Sequence, residues 1–136
     1  MINLTSLDIT NKNLVIRVDM NVPITDGIVA DASRIKACIP TIKLALENNA
    51  KVLLISHLGR PEEGKFEEKF SMKPVAESLS SIINQEVGLV DRLDSEDIFK
   101  SSLNIQILEN IRFFKGEKAN GKDLGNTLAN LGDIYV

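Results

Sequence analysis

Apolar and polar positions alternate along the chain in short blocks of two kinds. Asn13-Leu14-Val15-Ile16-Arg17-Val18 is a β-branched run closed by Asp19, Asn21 and Pro23, and predicts a first strand. Lys51 to Ile55, KVLLI, is almost continuously apolar and predicts a second strand buried on both faces. Val87 to Val90, Ile105 to Leu108 and Asp133 to Val136 predict three more. Between these runs the spacing becomes helical. From Ser33 to Asn48 the residues Ile35, Ile39, Ile42 and Leu46 share one stripe, with Ser33 as the cap. Pro40 interrupts that segment and is expected in an early turn or at a bend, because it lacks an N–H. Ser71 caps a second helix lined by Met72, Val75, Ala76, Leu79, Ile82 and Ile83, with Pro74 tolerated in its first turn. A short helix is expected near Ser95 to Ser101. Another runs from Lys122 to Leu131, carries Leu124, Leu128 and Leu131, and stops at Gly132. Thr25 to Asp31 turns at Asp26-Gly27, and GRPEEGKFEEKF reads as a solvated loop.

Alternation of strand and helix predicts an α/β fold, a mainly parallel sheet joined by right-handed crossovers. The expected architecture is a three-layer, Rossmann-like domain with helices on both faces. Such sheets bind ligands outside the carboxyl ends of their strands, so those ends are where chemistry is to be sought.

Composition narrows the classes. The 136 residues fit one domain with a substantial core, and 43% apolar with 26% charged residues is ordinary for a globular protein. A net charge of −3 gives no general attraction to nucleic acid or to an anionic membrane. No apolar run approaches a membrane span, and MINLTSLDITNKN lacks the basic-then-apolar pattern of a signal peptide, so a cytoplasmic protein is expected. The single cysteine, Cys38, excludes an internal disulfide framework and a cysteine zinc cluster, and among Ile35, Ile39 and Ile42 it reads as a buried thiol. Glu62/Glu63 and Glu67/Glu68 read as solvated charge, and no metal site is expected.

One stretch imitates a nucleotide-binding loop. Gly59 to Lys65 has the form G-x-x-x-x-G-K directly after a strand. The position that should ligate Mg²⁺ with a hydroxyl is Phe66, Pro61 has no N–H to offer a phosphate, and Glu62 and Glu63 would repel one. The P-loop reading fails on all three counts.

The strand ends carry a better signal. Of five arginines, Arg17 lies in the first strand, Arg34 starts the first helix, Arg60 follows the second strand and Arg112 follows Ile105 to Leu108. His57, the sole histidine, also stands at a strand end. Each has a structural reading. Arg17 could pair with Asp19 or Glu109, Arg34 could be a solvated helix-start residue, and His57 could be a hydrogen-bonded core histidine. Asp19 and Asn21 are ordinary turn residues, and Arg112 could serve a loop salt bridge. Those readings give no reason for all of them to gather on one edge. Guanidinium groups donate paired hydrogen bonds to carboxylate and phosphate, so the cluster points to a small anion, a phosphate ester above all.

RVDMNVP (17–23), RIKACIPTI (34–42), SHLGRP (56–61) and LENIRFFKGE (108–117) together resemble the N-terminal domain of phosphoglycerate kinase, in order and in spacing. The resemblance implies phosphoryl transfer between ATP and the carboxyl group of 3-phosphoglycerate, a glycolytic reaction. It implies that Asp19, Met20, Asn21, Arg34, His57, Leu58, Gly59, Arg60 and Arg112 bind 3-phosphoglycerate or 1,3-bisphosphoglycerate. Within that set Asp19 and Asn21 take the glycerate end, and His57, Arg60 and Arg112 take the non-transferring phosphate. Arg34 is the catalytic residue, neutralising the phosphoryl group in flight. Met20 departs from the phenylalanine usual at its position, an apolar-for-apolar change. Residues 1–136 are expected to form an incomplete substrate-binding lobe, inactive alone. Mg-ATP or ADP would be bound by a C-terminal domain absent from this chain. A cytoplasmic monomer, binding neither nucleic acid nor membrane, completes what the resemblance implies.

Overall fold

A computed structural model describes residues 8–59, 65–93, 98–114, 127–128 and 130–136. Its core is a five-stranded sheet in the order β5-β6-β4-β1-β7, every pairing parallel. The strands are β1 (Asn13–Arg17), β4 (Lys51–Ile55), β5 (Gly88–Val90), β6 (Ile105–Leu108) and β7 (Ile134–Tyr135). A separate antiparallel hairpin joins β2 (Ile24–Thr25) to β3 (Ile28–Val29). Asp26 and Gly27 make its two-residue turn with φ of 52° and 75°, which matches the strand twist and suits Asp-Gly. The turn was legible in the sequence, the hairpin around it was not.

Three α-helices, α1 (Ser33–Ala37), α2 (Ile39–Glu47) and α3 (Lys73–Ile83), and two 3-10 turns, Glu68–Phe70 and Ile111–Phe113, lie among the described residues. The single helix expected from Ser33 to Asn48 is therefore two, broken at Cys38. Pro40 falls in the first turn of α2, where its missing N–H costs no helical hydrogen bond. Ser33 is not the cap of α1. It is the first helical residue after Ala32, and the Asp31 carboxylate accepts from its N–H at 2.9 Å and its hydroxyl at 2.5 Å. Those two bonds, the hydroxyl first, hold the Asp31 carboxyl below the usual carboxylate range.

In α3, Met72 occupies the cap position expected for Ser71, whose hydroxyl still accepts from the Lys73 N–H at 3.2 Å. Val75, Ala76 and Leu79 are buried as the stripe predicts, whereas Ile82 lies on the solvent side. The helix ends on Asn84, left-handed at φ 55°. Residues 95–97 of the short helix expected near Ser95 to Ser101 lie outside the described residues, while Ile98 is helical and Phe99 and Lys100 form a turn; most of the helix expected from Lys122 to Leu131 also lies outside them. Thr127 and Leu128 are helical.

Alternate residues of each strand face opposite layers. Leu14, Ile16, Val52, Leu54, Ile105 and Ile107 pack with Ile35, Ile42, Ala45, Val75 and Leu79 of the helices. Val15, Leu53, Ile55 and Leu108 pack on the other face with Ile98, Ile111, Leu128 and Leu131. The chain leaving β4 thus returns over one face through α3, and the chain leaving β6 returns over the other. Neighbouring parallel strands whose connections part in this way open a crevice at their carboxyl ends. His57 follows the carboxyl end of β4, and Arg112 that of β6.

Candidate functional site

Three loops leave the carboxyl ends of adjacent strands and are tied to one another. After β1, the chain is anchored by Met20, whose N–H donates to Ser56 Oγ at 2.9 Å. Its side chain is fully buried, so Met20 holds the loop down between an exposed Asp19 and a half-buried Asn21. The Asn21 N–H donates to Asp19 Oδ1 at 3.2 Å, a local turn bond of the kind these residues favour. Arg34, one residue into α1, reaches back over the loop. Its Nη1 donates to the Asn21 carbonyl at 2.8 Å and stands 3.4 Å from Asp19 Oδ1. Both side chains of that ion pair are more than half exposed, so the guanidinium is steered without being consumed.

After β4, Ser56 is the hub. Its hydroxyl receives Met20 and donates to the His57 carbonyl at 3.2 Å, and its own carbonyl accepts from the Ile111 N–H at 3.0 Å. His57 is half-buried, and Leu58 is buried. At Gly59 the backbone takes φ 61° and uses both polar groups: the N–H donates to Asn21 Oδ1 at 3.0 Å, and the carbonyl accepts from Arg112 Nη1 at 3.2 Å. Gly59 therefore joins the β1 loop to the β6 loop.

After β6, Glu109 and Asn110 are buried although polar. Glu109 Oε1 accepts from the Met72 N–H at 2.5 Å and Oε2 from the Ser71 hydroxyl at 2.8 Å. A carboxylate from the sheet thus caps the positive end of α3. Asn110 Nδ2 donates to the carbonyls of Leu58 at 2.7 Å and Phe70 at 3.0 Å, and its Oδ1 accepts from the Arg112 N–H at 3.1 Å. Arg112 Nε is buried with no hydrogen-bond partner among the described residues. An unsatisfied buried donor is worth about 1–3 kcal/mol to whatever acceptor reaches it.

Of the residues singled out from the sequence, Asp19, Asn21, Arg34, His57, Gly59 and Arg112 come together on one edge. Met20 and Leu58 are in the same loops with their side chains in the core, which leaves only their backbones to meet a ligand. Arg60 lies outside the described residues. Cys38 is half-buried rather than buried, and its thiol donates to the Arg34 carbonyl at 3.3 Å. Burial, and then the Asp19 carboxylate, push that thiol up. Sequence reasoning missed Ser56, Glu109 and Asn110, which hold the loops together. A polar pair directly after the apolar IQIL was the available signal, because buried polar groups must find partners. Among the described residues, no helix is long and apolar enough to cross a membrane.

The phosphoglycerate kinase family model matches residues 4–136. Among curated proteins, the phosphoglycerate kinase of Desulfovibrio desulfuricans is 47% identical, over 96% of this chain and 33% of that protein. That of Legionella pneumophila strain Paris is 46% identical, over 100% and 34% respectively. Among solved structures, phosphoglycerate kinase from Coxiella burnetii superposes with a TM-score of 0.86 at 40% identity, covering 98% of this chain and 34% of that one. The Pyrococcus horikoshii enzyme gives 0.81 at 29% identity, over 99% and 36%. The chain spans about a third of the length of the curated relatives it matches. With four motifs in order and a parallel sheet that superposes on these kinases, the chain belongs to the phosphoglycerate kinase family.

Proposed function

We propose that this chain is the 3-phosphoglycerate-binding lobe of a phosphoglycerate kinase, and that the whole protein transfers a phosphoryl group reversibly between ATP and the carboxyl group of that substrate. The observation that carries the reading is the meeting of the Asn21 side chain and the Arg112 guanidinium on the backbone of Gly59. It sets a carboxylate- and hydroxyl-binding turn beside a cationic one at the switch point of the sheet, which suits a short molecule with phosphate at one end and carboxylate at the other.

The roles follow from chemistry and reach. Arg112 presents a buried Nε–H without a partner among the described residues, and with His57 and Arg60 it takes the phosphate that is not transferred. Asn21 has committed its amide oxygen to Gly59, so its amide nitrogen is the donor left for the glycerate end. Arg34 is exposed and steered by Asp19 and the Asn21 carbonyl, free to meet charge on a phosphoryl group in transit. The attacking carboxylate is already a nucleophile, so transfer needs positioning and charge neutralisation rather than a general base. The nucleotide and its Mg²⁺ are assigned to the part of the protein outside this chain. Cytoplasmic location and a monomeric state, both implied by the resemblance, belong to the same proposal.

Assay of the full-length protein with ATP and 3-phosphoglycerate, coupled to consumption of 1,3-bisphosphoglycerate, tests the reading. Turnover that depends on both substrates supports it. Absence of turnover by a folded, full-length protein overturns it.

A further inference from the structure

We infer that Asn110 is a positioning residue for the phosphate-binding groups: it fixes the distance between the His57-Leu58-Gly59 loop and Arg112. The inference rests on the functional reading above and deepens it.

Asn110 is completely buried, and its amide is divided among three stretches of chain. Two N–H bonds go to Leu58 and Phe70, and its oxygen holds the Arg112 N–H. Arg112 in turn reaches Gly59, the residue after Leu58, through Nη1. A closed ring results: Asn110 to Leu58, along the chain to Gly59, across to Arg112, and back along the backbone to Asn110. One end of Arg112 is therefore held by Asn110 itself, and the other by Gly59, the residue next to the Leu58 that Asn110 also holds. No side chain but an amide of this length supplies two donors and one acceptor at these places. Aspartate would set an oxygen against two carbonyl oxygens. Serine could still accept from the Arg112 N–H, since hydroxyls cap such turns, but is too short to reach Leu58 or Phe70.

Because a phosphate that is not transferred is held equally before and during the reaction, loosening its site raises KM and leaves kcat in place. Asn110→Ser removes the cross-loop brace while keeping the local turn, and Asn110→Asp removes the donors at constant size. In the full-length protein each should raise KM for 3-phosphoglycerate by about tenfold, with kcat and the KM for ATP within about twofold of the parent. Should Asn110→Asp fail to fold, Asn110→Ser decides alone, its fold checked by circular dichroism at the assay temperature. An unchanged KM for 3-phosphoglycerate in a folded variant overturns the inference. So does a parallel rise in both KM values with loss of kcat, the signature of general loosening. A parent protein without any kinase activity would refute the functional reading and this inference with it, whereas an active parent with unaffected variants refutes the inference alone.

Discussion

Gly59 lies under the ring of Phe70, so close that a Cβ on it would stand 2.5 Å from both Cδ1 and Cε1. Its φ of 61° is also in the left-handed region, where any side chain is disfavoured. Gly59→Ala therefore meets two penalties: a backbone term of about 1–2 kcal/mol, and displacement of an aromatic ring that sits in the same loop system. The expected outcome is a lower denaturation midpoint together with weaker 3-phosphoglycerate binding, read by urea unfolding and calorimetric titration. Parental values in both measurements would show that the loop tolerates a Cβ and that glycine there is incidental.

Arg34 and Arg112 should separate kinetically. Arg112 is held at both ends, and in its proposed role it meets the phosphate throughout, so Arg112→Ala should chiefly raise KM for 3-phosphoglycerate. Arg34 is exposed, and in its proposed role it meets charge that develops during transfer, so Arg34→Ala should chiefly lower kcat, by about 10²-fold or more. Its removal should leave thermal stability nearly unchanged, because an exposed ion pair contributes little. Steady-state kinetics on the full-length protein decides. Unchanged kcat for Arg34→Ala would remove it from the catalytic role.

Why some of this was legible in sequence, and some was not, follows from the kind of force involved. KVLLI predicts β4 to the residue because a strand buried on both faces is nearly continuously apolar, and Ile105 to Leu108 matches β6, whose one polar residue, Gln106, donates its buried amide to the Ile98 carbonyl at 2.6 Å. The strand-end arginines stood out because a solvated guanidinium has no local reason to cluster. Element ends were less visible. Ser33 and Ser71 are plausible caps by composition, yet the acceptors that matter are Asp31, two residues upstream, and Glu109, thirty-seven residues downstream of Met72. The second of these is a tertiary contact, and no local pattern encodes it. Ile82 fits the helical stripe of α3 but, one residue from the end of that helix, stays 37% exposed. The polar pair after β6 flagged Asn110, but its role was hidden for a related reason: the acceptors of its amide are backbone carbonyls 40 and 52 residues away.

Glu109 should be among the most costly polar positions in the chain. Truncation to alanine leaves the Met72 N–H and the Ser71 hydroxyl buried without their acceptor and uncovers the positive end of α3. A loss of about 2–4 kcal/mol is expected. Glu109→Gln keeps one acceptor for Met72 and offers its amide to Ser71, so it should lose less than half as much. Chemical denaturation of both variants tests the pair. Equal losses would mean that charge, rather than hydrogen-bond geometry, is what the helix end requires.

Cys38, at the end of α1, reports on Asp19 through its thiol. Burial is the first cause that pushes its thiol up, and the Asp19 carboxylate is the second. Alkylation requires the thiolate, so Cys38 should react with iodoacetamide more slowly than an unstructured cysteine at any pH below its own titration. Asp19→Asn removes only the electrostatic cause. The rate profile should then shift to lower pH, yet still titrate above an ordinary thiol because burial remains. The sign also fixes a stability effect. The unfolded chain loses this proton first, so stability falls as pH rises past the ordinary thiol pKa, and stops falling once the folded thiol ionises as well. Measured rates across alkaline pH for the parent and Asp19→Asn test both causes together. A parental thiol that titrates at or below the ordinary value would contradict the burial seen at the break between α1 and α2. An unshifted profile in Asp19→Asn would instead separate Asp19 from the thiol, and with it the close approach of the β1 loop to the start of α1 on which the placement of Arg34 depends.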